Sequence, residues 1–300
     1  MKKRQKHYLS VIIILFLCIG IGYAYLSSTL NSSFSNIRVT GFDRICQRAT
    51  TLHTETCTLS SGGCYAAGYS ASGSKKTKTI TYGKLGTTGA LSVGDAFDCD
   101  VNNDGVYDSA TERFYYIGNL STNSSRAVLI YYNNTNSNGD ASANQTATYN
   151  TGNNIKSGPT VAKNYMPRTT KWTKVTLNST TRTIKDESGT TVVSSFSYSG
   201  FAARLLTIQE IKTACGSSIT TNGVLDSKCT FMLENTNYHA STNFLTGYWL
   251  ENQENSSPYY AYRIMATSRR LGYLPTSSVT TGNELGVRPV IEVLKSKMIY

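Results

Sequence analysis

Histidine is nearly absent from this chain, with 3 residues in 300, and proline is scarce at 5. Charged residues make up only 16%. Each shortage excludes something. A coiled coil or long-helix protein draws on abundant Ala, Glu, Lys, Leu and Arg, and that vocabulary is missing. A charge-rich disordered chain is excluded too, because 39% of the residues are apolar and 11% aromatic, enough to build a core. Three histidines do not make a His-rich metal enzyme. What fills the space is polar without being charged. Serine, threonine and asparagine supply 98 residues and tyrosine another 21. β-formers and turn-formers are mixed, as in an extracellular β-rich module.

There is one long apolar run. Four cations stand within Met1 to Lys6, and Tyr8 to Leu26 follows with nineteen uncharged residues. At 1.5 Å per residue these span roughly 28 Å, close to a bilayer core. Basic flank, apolar run and polar exit predict a transmembrane helix that anchors the chain, or a signal peptide cleaved after Ala24. The cations hold the N-terminus in the cytoplasm, so the bulk lies outside the cell membrane, secreted if cleaved. Beyond residue 26 stand 25 cations and 18 anions. That mild excess suits an anionic cell surface. No basic stripe with interleaved aromatics is present, so nucleic acid is not a predicted partner.

Six of the seven cysteines lie beyond the anchor: Cys46, Cys57, Cys64, Cys99, Cys215 and Cys229. An even number in an oxidising compartment predicts disulfides. Cys215 and Cys229 are remote from the others and are expected to pair. A loop of that length is worth roughly 3 kcal/mol in the chain-entropy description. The other four are expected to pair among themselves, in a connectivity left open. No C-x-x-C spacing or histidine cluster points to zinc.

Residues 27–36 read as a polar tether and 37–109 as a cysteine-bearing β-rich segment. A hairpin is expected from Arg113–Ile117 and Ala127–Tyr132. Asn133–Asn154 reads as a long exposed loop. The clearest helix is 208–215, with Thr207 as N-cap, Glu210 completing a capping box, and Gly216 ending it. Pro289 places the closing strand, Gly286–Leu294, at an edge or a bulge. Tyr131, Tyr132, Asn133, Asn134, Tyr238, Tyr248, Tyr259 and Tyr260 use the vocabulary of binding loops, or cover half-buried sheet faces. Trp249 reads as core.

The strongest chemical signal is Asp100-Val101-Asn102-Asn103-Asp104-Gly105-Val106-Tyr107-Asp108. Asp100, Asn102, Asp104 and Asp108 occupy positions 1, 3, 5 and 9 of a calcium loop. Gly105 permits the sharp turn at position 6, and Val106 offers its carbonyl at 7. Position 12 is Thr111, and Glu112 falls one place later. The pattern is therefore a compact β-type calcium loop with Glu112 as closing ligand, or an Asp/Asn turn that needs no ion. Catalytic signals are weaker. His53 and His239 sit in no Ser or Cys motif, and G-x-S-x-G is absent.

Four motifs in the C-terminal part carry a resemblance. Ala203-Arg204-Leu205-Leu206-Thr207-Ile208-Gln209-Glu210-Ile211, Tyr248-Trp249-Leu250, Ala261-Tyr262-Arg263-Ile264-Met265 and Gly286-Val287-Arg288-Pro289-Val290 stand in order. They resemble the helix start and the strands of formylglycine-generating-enzyme-like domains. The closing motif and the short anchor are similar to those of uncharacterised surface proteins of Gram-positive bacteria. Leu206 stands where that family has proline. Its active-site cysteine pair has no counterpart here, so its activity is not implied. The resemblance implies an α+β, C-type lectin-like domain over 110–296 with a loop face suited to a ligand. Arg288, in an apolar strand, needs a partner, and Glu210 is the candidate. The function expected is a membrane-anchored extracellular binding module for a cell-surface glycan or protein, non-catalytic. The alternatives are a cell-wall-acting enzyme or a pilin-like structural subunit.

Overall fold

The computed structural model describes residues 43–58, 77–143, 145–151, 156–216, 223–225, 227–236, 247–256, 260–265, 270–275 and 284–300. The segment 8–26 lies outside them. Among the described residues no helix is long and apolar enough to cross a membrane. The chain is β-rich, with thirteen described strands. They are β1 (Cys46–Arg48), β2 (Thr54–Thr58), β3 (Thr77–Thr81), β4 (Ala96–Cys99), β5 (Arg113–Leu120), β6 (Asn123–Tyr131), β7 (Thr181–Lys185), β8 (Thr191–Ser197), β9 (Gly247–Gln253), β10 (Tyr260–Met265), β11 (Arg270–Pro275), β12 (Val290–Leu294) and β13 (Met298–Ile299). The α-helix α1 runs Ile208–Cys215.

The main sheet has the order β12-β6-β5-β4-β1-β13, antiparallel except for β1 with β13. Its centre is the β5–β6 hairpin, closed by Ser121 and Thr122. The two edge strands are successive in the chain, separated only by Lys295–Lys297. Four peptide steps reach at most about 14 Å. The edges of a flat six-stranded sheet would stand about 24 Å apart. The sheet must therefore curl until its edges approach. Residues 44–300 form one compact unit. β4 and β5 lie on opposite sides of residue 109 yet pair in one sheet, so the division expected there does not separate two domains.

The curled sheet is buried on both faces. Phe114, Tyr116, Ala127, Leu129 and Tyr131 join Trp172, Tyr149, Trp249, Ile291 and Val293 in one core. The alternate residues Tyr115, Ile117, Val128 and Ile130 join Ile208, Ile211, Phe231, Tyr248 and Leu250 in the other. This two-fold alternation explains the unbroken apolar run Ala127–Tyr131, since strands covered on both faces do not alternate in polarity. α1 covers the second face with Ile208, Ile211, Ala214 and Cys215, all buried. Its capping box is complete: Thr207 accepts from the Glu210 N–H, and Glu210 accepts from the Thr207 N–H at 2.9 Å. Disulfides join Cys46 to Cys99 across β1 and β4, and Cys215 to Cys229. Cys64, with any bond it makes to Cys57, lies outside the described residues.

Three expectations are corrected. Among the described residues of 133–154 the chain is not an exposed loop throughout, since Asn134, Thr135, Ala147, Tyr149 and Asn150 are buried. Tyr149 is wholly buried against Trp249, whose Nε1 donates to the Ala147 carbonyl at 2.7 Å. Gly286 lets the closing strand approach Asn134 so closely that a Cβ there would lie 2.3 Å from its side chain. Secondly, Tyr131 and Tyr248 are core residues and form no open tyrosine face, while Trp249 is core as expected; Tyr238 and Tyr259 lie outside the described residues. Thirdly, Glu210 does not pair with Arg288. Arg288 donates to the carbonyls of Tyr131, Met232 (2.7 Å) and Phe231 (2.9 Å), and lies over the Tyr248 ring. Guanidinium fork geometry lets three carbonyls replace one carboxylate. Glu210 pairs instead with the fully buried Arg204, six residues before it, with one contact of 2.9 Å.

Arg204 also donates to Glu292 at 2.7 Å, both side chains being wholly buried. Removing one partner of a buried pair strands the other. Arg204→Ala should cost about 3–5 kcal/mol, read as a lower urea midpoint at unchanged slope. A loss under 1 kcal/mol would contradict this account.

Candidate metal site

The connection from β4 to β5 holds the calcium-like loop. Its base is closed twice over. Asp98 pairs with Arg113 at 2.6 Å, both buried, and the Cys99 N–H donates to the Glu112 carbonyl at 3.0 Å. The Cys46–Cys99 disulfide and an Asp100 N–H bond to the Ile45 carbonyl, 2.8 Å, fix the loop to β1. Asp100 and Glu112 are thus brought side by side although twelve positions separate them. At the loop tip Asn103 and Gly105 take left-handed backbone, φ 68° and 83°. Glycine does so without the steric cost that other residues meet.

One oxygen each of Asp100, Asp104 and Glu112 lies within 4.8 Å of the others. Asp100 and Glu112 are buried and Asp104 is exposed. Two oxygens of this set, Asp100 Oδ1 and Glu112 Oε1, are sealed from solvent and accept no hydrogen bond from the protein. Burial pushes the Glu112 carboxyl up to about 7, with the charges of Asp104 and Asp100 adding to it against backbone N–H groups of Asp108 and Asn102. Lys174 neutralises one charge by a 2.5 Å contact to Asp100 Oδ2. Three carboxylates and one ammonium leave two negative charges. The donors are all oxygen, which suits a hard cation.

The remaining expected ligands are engaged as follows. The Asn102 side chain bridges to Asp104, giving to Oδ2 at 2.9 Å and accepting from its N–H at 3.0 Å. Val106 is exposed and its N–H donates to Asp104 Oδ1 at 2.8 Å. Asp108 accepts from the Ala110 N–H and the Thr111 hydroxyl, each at 2.8 Å, which hold its carboxyl below the usual range. It caps the turn that leads into β5. Of the four acids in the loop pattern, Asp100, Asp104 and Glu112 are brought together and Asp108 is not.

Sequence reasoning passed over a second constellation. His53 Nδ1 contacts Oε1 of Glu234, a carboxylate fully sealed in the core, while Tyr115 donates to Oε2 at 2.5 Å. Tyr82 stacks beside the imidazole, with centroids 5.7 Å apart. The two residues are 181 positions apart, so spacing carried no signal. The third is a cleft of about 620 Å³ between the β5–β6 turn, the β7–β8 hairpin and the start of α1. Glu210, Glu251 and Glu292 contribute to its wall with Arg182.

Compared with known protein families, curated proteins and solved structures, the chain matches none.

The Glu234 hydrogen bond raises the His53 pKa above 6.5, against burial. The folded chain then keeps this proton to higher pH than the unfolded chain does. The resulting stability is complete below pH 6.5 and is lost as pH rises through the folded value. Glu112, also raised, acts in the same sense in metal-free protein, so the comparison must be made between variants. The denaturation midpoint should fall more between pH 6.5 and 8 in the wild type than in His53→Ala. Parallel profiles would refute the coupling.

Proposed function

We propose that this chain is an extracellular, non-catalytic binding module, held at the cell membrane by residues 8–26 and stapled internally by a calcium ion. The observation that carries this reading is the pair of stranded oxygens, Asp100 Oδ1 and Glu112 Oε1, on two carboxyls that gather with Asp104. A divalent cation would supply the partner that the protein withholds and would cancel the two residual charges. Calcium fits because it accepts irregular sets of carboxylate, carbonyl and water oxygens, whereas magnesium demands near-octahedral geometry. Millimolar calcium and oxidised cysteines belong to the same compartment, outside the cell. The ion's role is structural, since it ties β1, β4 and β5 at the base of the main sheet.

The C-type lectin-like reading of 110–296 rests on the order of its four motifs. Three of them converge in space, which supports it. Arg204 bridges to Val290, the Trp249 N–H donates to the Gly286 carbonyl at 3.1 Å, and the Glu251 N–H donates to the Leu206 carbonyl at 2.8 Å. The non-catalytic reading draws on the cleft. Both oxygens of Glu292 and of Glu210 are engaged by guanidinium or backbone groups, so among these three glutamates only Glu251 keeps an unpartnered oxygen and they offer no second free carboxylate for paired acid–base work.

Calcium at 100 times its Kd should stabilise the folded chain by about 2.7 kcal/mol, a rise of roughly 5–10 °C in Tm for a domain of this size. Glu112→Gln should abolish that rise while leaving the calcium-free Tm unchanged or higher, because it removes carboxylate repulsion. A Tm indifferent to calcium in the wild type would sink the staple. Impermeant amine labelling of intact cells tests the location. Labelling seen only after lysis would sink the extracellular reading.

A further inference from the structure

The cleft beside α1 has a charge imbalance that its own residues do not resolve. Glu210, Arg204, Glu292, Arg182 and Glu251 form one chain of contacts. Arg204 bonds Glu210 and Glu292; Arg182 meets Glu292 at 3.7 Å and Glu251 at 3.2 Å. Three carboxylates thus share two guanidiniums. The surplus is localised. Glu292 accepts from Arg204 at 2.7 Å on Oε1 and from the Asn178 N–H at 2.7 Å on Oε2. Both Glu210 oxygens are taken by Arg204 and the helix start. Glu251 alone, only 3% exposed, has an oxygen, Oε2, with no partner. Burial raises its pKa even though Arg182 and Arg204 pull the other way, as follows when compensation is incomplete.

The remaining charges at the cleft do not remove the surplus. Asp186 and Glu187 add two anions to the wall, and Lys185 adds one cation. Lys212 reaches Glu187 from outside it at 3.4 Å. The positive end of α1 is already occupied by its own capping box, so no anion site is open there. A locally acidic cleft thus sits on a chain whose net charge is +11. Around the carboxylates the wall is made of hydroxyl and amide side chains, among them Ser121, Thr122, Ser179 and Thr183, with Leu120 as an apolar face. An acidic floor wants a cation, a hydroxyl-rich rim wants a polyol, and an apolar wall accepts the C–H face of a ring.

We propose that this cleft binds an amino sugar carrying a free ammonium group, which meets Glu251 once the side chain turns its sealed Oε2 toward the cleft, while the sugar hydroxyls meet the Ser/Thr rim. This rests on the binding-module reading above and names its ligand class. Free, deacetylated glucosamine residues have this chemistry, and so does a simple diamine in its ammonium alone.

The test uses the full chain in detergent micelles, titrated by calorimetry with a glucosamine trimer, with its fully N-acetylated counterpart and with cadaverine. The trimer should bind saturably, and N-acetylation should weaken it about tenfold or more, the worth of one charge-assisted hydrogen bond. Glu251→Gln should weaken it to the same degree. A second variant guards against a misfolded first. At Gly118, which lines the cleft, an added Cβ meets only Thr213, at 4.0 Å, so Gly118→Leu has room to start into the cleft and should block the sugar, its Tm being recorded alongside to show that it folds. Absence of trimer binding, equal binding of the acetylated trimer, or unaltered binding by both variants overturns the proposal. Cadaverine binding as tightly as the trimer overturns the sugar part. The calcium-dependent Tm is recorded on the same samples. A chain that responds to calcium and ignores the trimer loses this inference alone; one that binds the trimer without responding to calcium loses the staple.

Discussion

Leu294 and Met298 stand four residues apart in the chain and on opposite edges of a six-stranded sheet. Most of the structure follows from that closure constraint. The curled sheet buries side chains on its inner and outer faces alike. Both faces of β5 and β6 are accordingly apolar, and everything else is recruited to cover them. The covering elements include α1, the 149–177 stretch and the strand that carries Trp249.

Covering a sheet on both sides carries polar groups into the interior, where each must be satisfied. Arg288 is satisfied by carbonyls and Arg204 by two carboxylates. Glu234 is satisfied by a tyrosine and a half-exposed histidine. These devices are complete. Elsewhere the matching is incomplete, at Asp95, Asn134, Tyr248 and Arg263 among other places, and also at Asp100, Glu112 and Glu251. Stranded buried oxygens are costly; those of Asp100 and Glu112 belong to the acidic β4–β5 connection and that of Glu251 to a residue of the cleft wall. Both of these sites lie where a ligand from solvent would be the missing partner.

Much of the local structure was legible in the residues. The β5–β6 hairpin, α1 with its capping box, and the edge position of β12 after Pro289 all follow from short-range rules of propensity, capping and missing donors. The acidic loop was legible as a cluster but not as a ligand set. Loop spacing cannot tell whether an Asp side chain turns inward to an ion, as Asp100 does, or back onto its own turn, as Asp108 does. The Glu210–Arg288 pairing failed because an arginine in an apolar strand demands acceptors without specifying carboxylates. Asn133–Asn154 looked like solvent-exposed chain because asparagine and threonine dominate it. Tyr149 and Thr135 nonetheless turn inward, onto the carbonyls of Glu251 and Val287 more than a hundred residues away.

The sequence by itself determined the β5–β6 hairpin, where α1 begins and ends, and that an acidic, glycine-bearing loop precedes the hairpin. Those properties depend on neighbours within a few residues. Only the tertiary structure decided that the sheet curls, that Glu112 meets Asp100, that His53 meets Glu234, and that Glu251 faces a cleft with an oxygen to spare. Each of these joins residues whose separation in the chain has no local signature. Each was selected by the global requirement to cover both faces of one curled sheet.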